Sequence, residues 1–241
     1  WWGDAEGMGG SGDASLRRAD ARGRYPTPVD DLVAAAGLKE SLEFPLDDDA
    51  SAGAPAHLQV LLRSAREKVL GLVDRHARVI HVSPEVDFAA RRGFVKLHEV
   101  THHVLPWQRD LLYADADESL SPLTRARFEQ EANYGAARLL FQGDKLAQDL
   151  ADLPIGFESV EVLAHLYGAS LRATLRRYGE QQWHPVVTIA LSPSTIPGEP
   201  RRWRRLERVS YSCGGVGGSL GWWGLLRGLR SSVMSSGRVL R

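Results

Sequence analysis

The sequence predicts an α+β fold, mainly helical, with a small antiparallel sheet and a helical pair on its C-terminal side. Three observations lead there. Two β-branched runs, Val69–Val73 and Arg78–Val82, lie either side of 74–77 and read as a hairpin. Two long stretches, from about Phe88 to Val104 and from about Leu123 to Phe141, carry apolar residues at helical spacing. Beyond them, Val160–Tyr167 and Leu171–Glu180 are short helical stretches broken at Gly168.

The elements follow in order along the chain. Tyr25 to Val33, with Pro26 and Pro28 ahead of Val29 and the acidic pair Asp30-Asp31 after it, opens a short helix that Gly37 closes. Leu42 to Pro55 is acidic and Gly/Pro-bearing, hence loop, and Leu58 to Arg66 supplies a helical turn or two. After the hairpin, the helix from Phe88 runs until Pro106, which cannot continue it. Asp110 to Pro122 is an acidic loop. The next long helix ends near Gly143, a further helical segment spans Lys145–Leu150, and Pro185–Leu191 reads as a last strand. Four regions result: 1–24, expected to lack structure; a core over 25–155; a helical extension with the last strand over 156–192; and a tail over 193–241. From Arg208 onward the tail has no Asp or Glu and is dominated by Gly, Ser, Arg and Trp, so it is expected to be disordered or non-native.

Composition limits the function classes. In 241 residues, Lys+Arg and Asp+Glu are both 30, which gives no global electrostatic case for wrapping nucleic acid or lying on an anionic membrane. No stretch approaches the roughly 20 continuous apolar residues of a membrane span. The single cysteine, Cys213, excludes a disulfide framework and a Cys-based zinc cage, and it predicts a reducing, cytoplasmic setting.

The chemistry sits in His98-Glu99-Val100-Thr101-His102. Residues four apart on a helix project from one face about one turn apart, so His98 and His102 can share one zinc ion. Glu99 is then placed to take a proton from the attacking water as general base. The surrounding Ala89, Ala90, Phe94, Val95, Leu97 and Val100 make this a buried helix, where unpaired imidazoles and a carboxylate are costly.

A catalytic zinc needs a third protein ligand and an open position. His103 points about 100° away from His102 and cannot join it, and His165 lies on a later helix. Asp115, Asp117 and Glu118 in the following loop, and Glu129 and Glu131 on the second long helix, are the carboxylate candidates. Spacing alone favours Glu131 over Glu129 only slightly. Tyr113, Tyr134 and His103 are candidate donors to the oxyanion that forms on attack.

The run Phe94–Leu105, followed by Phe128–Leu140 with its Glu-Ala-Asn segment and Leu-Leu pair, resembles the ImmA/IrrE family of bacterial metallopeptidases. The likeness reaches back to the Arg78–Val82 strand and forward to Leu163–Ser170, covering roughly Pro26 to Leu191. It implies a zincin-like core holding one zinc ion per chain, with His98, His102 and Glu131 as ligands and Glu99 as general base. Two positions depart from the family's pattern: the usual Gly before the second ligand is Thr101, and the usual aromatic-Ala after the Asn is Tyr134-Gly135. The resemblance also implies regulatory cleavage of a helix-turn-helix repressor of the Xre type, switching on stress-response or mobile-element genes.

The pair Val160–Glu180, with Ser170 as N-cap and Arg172, Arg176 and Arg177 after it, has the outline of a helix-turn-helix. Together with Arg201–Arg205 it supports an alternative: a DNA- or protein-binding regulator with a structural or vestigial metal site. Against it, Leu163, Leu166, Leu171 and Leu175 fall at core spacing, which favours packing or repressor docking over direct DNA contact.

Overall fold

The computed structural model describes residues 5–44, 70–108, 121–182, 186–193 and 203–212. The expected helical turns at Leu58–Arg66 and most of the two acidic loops lie outside the described residues. Helices α1 (Ala5–Arg18) and α2 (Val29–Ala35) lead into strand β1 (Lys39–Ser41). Strands β2 (Gly71–Asp74) and β3 (Val79–Val82) precede two long helices, α3 (Ala89–Val104) and α4 (Pro122–Leu140). Three shorter helices follow, α5 (Lys145–Ala151), α6 (Phe157–Tyr167) and α7 (Leu171–Gln181), and then strands β4 (Val186–Pro193) and β5 (Trp203–Ser212).

The fold is α+β, but its sheet is mixed rather than antiparallel. The expected hairpin is present, with Leu72 opposite His81 and Val73 opposite Ile80. Strand β1 adds to the other edge of β3 in parallel, Glu40 opposite Ile80, giving the order β1-β3-β2. The three residues of β1 are too few and too polar to show an alternating pattern, so only the partner strand makes them a strand.

Local signals set the helix ends. Leu105, before Pro106, has ψ 112 and leaves the helical region, which stops α3. Ser121 caps α4 by accepting from the Thr124 amide at 3.2 Å, with Pro122 in the first turn. Gly168 closes α6 in the left-handed region at φ 67, and Ser170 caps α7 through the Ala173 amide.

Two segments expected to lack structure carry it. Residues 5–18 are poor in intrinsic helix propensity, with Gly9, Gly10 and Gly12 in the run, yet they form α1. The helix stands because it packs on α4: Leu16 and Ala21 are fully buried in the core, and Asp13 meets Arg22 and Arg138. In the tail, Trp203–Ser212 pairs with β4 as an antiparallel hairpin, Thr188 opposite Ser210, and this hairpin lies beside α7. Here too the partner strand supplies what the local composition lacks.

One hydrophobic core unites the sheet and the helices through Leu32, Ile80, Leu97, Val100, Leu139, Phe141, Leu163 and Tyr167. Its tightest seam is between α3 and α4. A Cβ added to Gly135 would collide with Thr101 Cγ2 and sit 2.9 Å from Thr101 Oγ1, so the glycine is what lets the two backbones approach. The two departures from the family's pattern thus face each other, a larger residue on α3 against a smaller one on α4.

Candidate metal centre

The last two turns of α3 carry the histidine pair to the seam. His98 and His102 present their Nε2 atoms to each other at 3.1 Å, with the rings edge to face. Glu129 of α4 closes a triangle: its Oε2 is 3.2 Å from His98 Nε2 and its Oε1 is 3.5 Å from His102 Nε2. Among the described residues, these three bring possible ligand atoms within 4.8 Å of one another.

The spacing suits ligands of one ion. Ligands at about 2.1 Å from a tetrahedral zinc stand about 3.4 Å apart. The two imidazole nitrogens are 3.1 Å apart, and each has a different oxygen of the Glu129 carboxylate beside it, at 3.2 and 3.5 Å. The chemistry fits as well. Two imidazole nitrogens and a carboxylate are electron-rich atoms aimed at one point, an arrangement that a cation stabilises. The imidazoles, His102 first, hold the Glu129 carboxyl far below the usual carboxylate range through hydrogen bonding. Burial works to lower the His102 pKa, but its contact with Glu129 and the nearby Glu99 raise it overall.

Glu99 is buried on the adjoining face of α3, and burial pushes its carboxyl up despite the two neighbouring imidazoles. Strand β2 walls it in. A Cβ on Gly71 would come within 2.9 Å of Glu99 Oε1 and 2.5 Å of Val95 Cγ1, so only glycine lets the strand pass so close.

Glu131 is not in the triangle. Its buried carboxylate accepts from Trp107 Nε1 at 2.8 Å, Gln108 Nε2 at 2.7 Å and Arg127 Nε at 3.0 Å. The physical reason is helical register. The buried stripe of α4 runs through Phe128, Ala132, Gly135, Ala136 and Leu139. At 100° per residue, Glu129 and Glu131 flank that stripe on opposite sides, and only one side faces the histidines. The periodicity treats the two flanks nearly alike, so spacing carries only the slight preference it gives Glu131.

The remaining candidates are dispersed. Tyr113, Asp115, Asp117 and Glu118 lie outside the described residues. Tyr134 faces the other way, with the Arg177 guanidinium 5.6 Å from its ring centre. His103 is half-buried one step round from His102. Gln108, which accepts from His102 Nδ1 at 2.6 Å, was not foreseen. Nothing before it signals the contact except the turn that Pro106 forces.

The IrrE N-terminal-like domain of the M78 peptidases matches residues 58–178, half of the sequence. The chain belongs to this peptidase family. Its expected histidine pair and the observed triangle both lie within the matched region. A solved Mycobacterium tuberculosis transcriptional regulator shares the fold of this M78 chain with a TM-score of 0.51 at 14% identity. That likeness covers 89% of this chain but 59% of the other, so the chain spans well under two thirds of that protein's length. No curated protein sequence matches the M78 chain. Among the described residues, no helix is long and apolar enough to cross a membrane.

Proposed function

We propose that this M78 chain is a zinc-dependent endopeptidase with one ion held by His98, His102 and Glu129, and with Glu99 as general base. The observation that carries the reading is the meeting of His98, His102 and the Glu129 carboxylate across 3.1 to 3.5 Å, with the buried Glu99 carboxyl on the histidines' helix. Glu129 takes the ligand role that the resemblance had assigned to Glu131.

Bound zinc supplies a Lewis acid that polarises the scissile carbonyl and brings the pKa of water to about 7. Glu99 accepts the proton of the attacking water and delivers it to the leaving amine nitrogen. Burial raises its pKa above that of an exposed carboxylate, the direction that makes it a stronger base. Gly71 and Val95 confine the Glu99 side chain, so its oxygens stay beside the histidine pair.

The substrate we infer is a protein, a helix-turn-helix repressor of the Xre type cut at one or very few bonds in the cytoplasm. Family membership supports that inference. The alternative of a DNA-binding regulator leans on the fold shared with a transcriptional regulator, and the α6–α7 pair argues against it. Arg176 and Arg177 both engage Glu180, at 3.1 and 2.9 Å, and Arg177 is buried.

The test is incubation of the zinc-loaded protein with Xre-type repressors from the same genome, read by mass spectrometry. A discrete product that disappears with Glu99→Gln, while zinc remains bound, is the expected result. An intact repressor pool together with DNA binding that Arg172→Ala weakens would replace the peptidase by a regulator.

A further inference from the structure

Gln108 and Glu131 form a chain that ends on the rear nitrogen of a proposed zinc ligand. The Glu131 oxygens act as acceptors in each of their contacts. Trp107 Nε1 and Arg127 Nε donate to them, and Gln108 Nε2 donates to Oε2 at 2.7 Å. The same Gln108 amide nitrogen reaches the Phe128 carbonyl at 3.3 Å. Two acceptors on that side leave one orientation for the amide, with its NH2 toward Glu131 and its Oε1 toward His102.

Gln108 Oε1 stands 2.6 Å from His102 Nδ1, so Nδ1 must carry the hydrogen and donate it. In the neutral imidazole, the form that takes a metal, that is the one N–H and Nε2 is the bare nitrogen; the hydrogen bond to Glu129 belongs to the protonated ring. Nε2 is the atom that faces His98 and Glu129. Gln108 and Glu131 are both buried, so water does not compete for these contacts.

We infer that Gln108 and Glu131 are positioning residues: Glu131 orients the Gln108 amide, and Gln108 fixes the tautomer and ring angle of His102, which sets the affinity of the centre for zinc. This rests on the reading of His98, His102 and Glu129 as the ligand set. It gives the buried carboxylate of Glu131 a role one step behind the metal. Without Glu131 the Gln108 NH2 keeps only its longer contact with the Phe128 carbonyl, so the amide turns over more readily, offering NH2 to Nδ1 and favouring the hydrogen on Nε2. Outer partners of ligating histidines typically contribute about 10- to 100-fold in metal affinity.

The experiment measures zinc affinity by competition with a chromogenic chelator, on the full chain, for wild type, Gln108→Ala, Gln108→Met, Glu131→Ala, Glu131→Gln and the Gln108→Ala/Glu131→Ala double variant. Cobalt spectra are recorded on the same proteins, and histidine ¹⁵N shifts on the metal-free forms at alkaline pH. The expected result is a loss of about 10- to 100-fold in Gln108→Ala and Glu131→Ala, with the cobalt spectrum retained. The double variant loses no more than Gln108→Ala alone, and Glu131→Gln recovers much of the affinity because its amide oxygen still accepts from Gln108. In the metal-free wild type the His102 hydrogen is on Nδ1, and in Glu131→Ala it moves to Nε2.

Affinities within twofold of wild type in the single variants overturn the inference. So does a cobalt spectrum that changes coordination in Glu131→Ala, which would make Glu131 a direct ligand. Gln108→Met, similar in volume, guards against a cavity effect: full affinity there removes Gln108 from the role. A wild type that binds no zinc or cobalt sinks the metal-centre reading instead, and the His102 tautomer then decides the Gln108–Glu131 relay by itself.

Discussion

At the N-terminal half of α4, beside α3, polar groups converge where the protein meets solvent: His98 and His102 are largely covered, while the Glu129 side chain is 61% exposed. Past the C-terminal end of the same helix a half-buried cluster is built the other way. There Thr27 donates to the Leu140 carbonyl at 2.6 Å, and Gln142 Nε2 donates to the Arg24 carbonyl at 2.7 Å. Asp149 accepts from Tyr25 at 2.6 Å and Tyr167 at 2.7 Å, and it also pairs with Lys145. Every donor in this second cluster meets an acceptor, and the result is a closed structural knot tying the 24–27 segment to α5 and α6. In the first cluster the two imidazoles and the Glu129 carboxylate meet across 3.1 to 3.5 Å, three groups able to ligate one cation. The contrast teaches that burial alone does not mark a site. What marks it is the convergence of groups that can ligate one ion.

The sharpest way to break the comparison is to remove one converging ligand. Glu129→Ala is expected to reduce zinc affinity by more than the roughly 100-fold upper range of an outer partner, measured by chelator competition, whereas Asp149→Ala leaves that affinity unchanged. Next in size, Glu99→Gln should lower turnover of a cleaved repressor by about 10²- to 10⁴-fold with metal content intact. A variant that kept its rate would remove Glu99 from the chemistry.

On the knot, Asp149→Ala strands two phenol hydroxyls and should cost about 1–3 kcal/mol in urea denaturation. Its pH dependence has a defined sign. Burial works to raise the Asp149 carboxyl, but hydrogen bonds from Lys145, Tyr25 and Tyr167 hold it below the usual range. That stability is present above the unfolded aspartate pKa of about 3.9 and is lost as pH falls through the lower folded value. Asp149→Asn should therefore flatten the acid side of the stability profile.

At the seam, Gly135→Ala should cost about 1–3 kcal/mol, and much less in a Thr101→Ala background, because the clash is with the threonine methyl. Additive costs would show that the two residues are not coupled. Smallest of all, Arg176→Ala, which breaks an exposed pair with Glu180, is expected to change stability by no more than about 0.5 kcal/mol.

Much of this molecule was legible beforehand. The hairpin, both long helices and the three shorter ones could be read from β-branched runs, helical spacing and the stops at Pro106, Gly143 and Gly168. The histidine pair and Glu99 could be read because spacing on a single helix fixes their relation. What escaped depends on contacts between distant segments. Strand β1 and helix α1 exist through β3 and α4, and the local residues do not announce them. The choice between Glu129 and Glu131 depends on the roll of α4 against α3, which a pattern symmetric about the buried stripe leaves open. Gln108 reaches His102 only after the chain turns at Pro106.

That roll has a mechanical meaning. The two glutamates of α4 reach the two nitrogens of one imidazole, Glu129 directly at Nε2 and Glu131 through Gln108 at Nδ1. A rotation of α4 about its own axis disturbs both grips at once, so the imidazole works as a torque gauge for the helix. A substitution that shifts the roll of α4 is therefore felt at both nitrogens of His102.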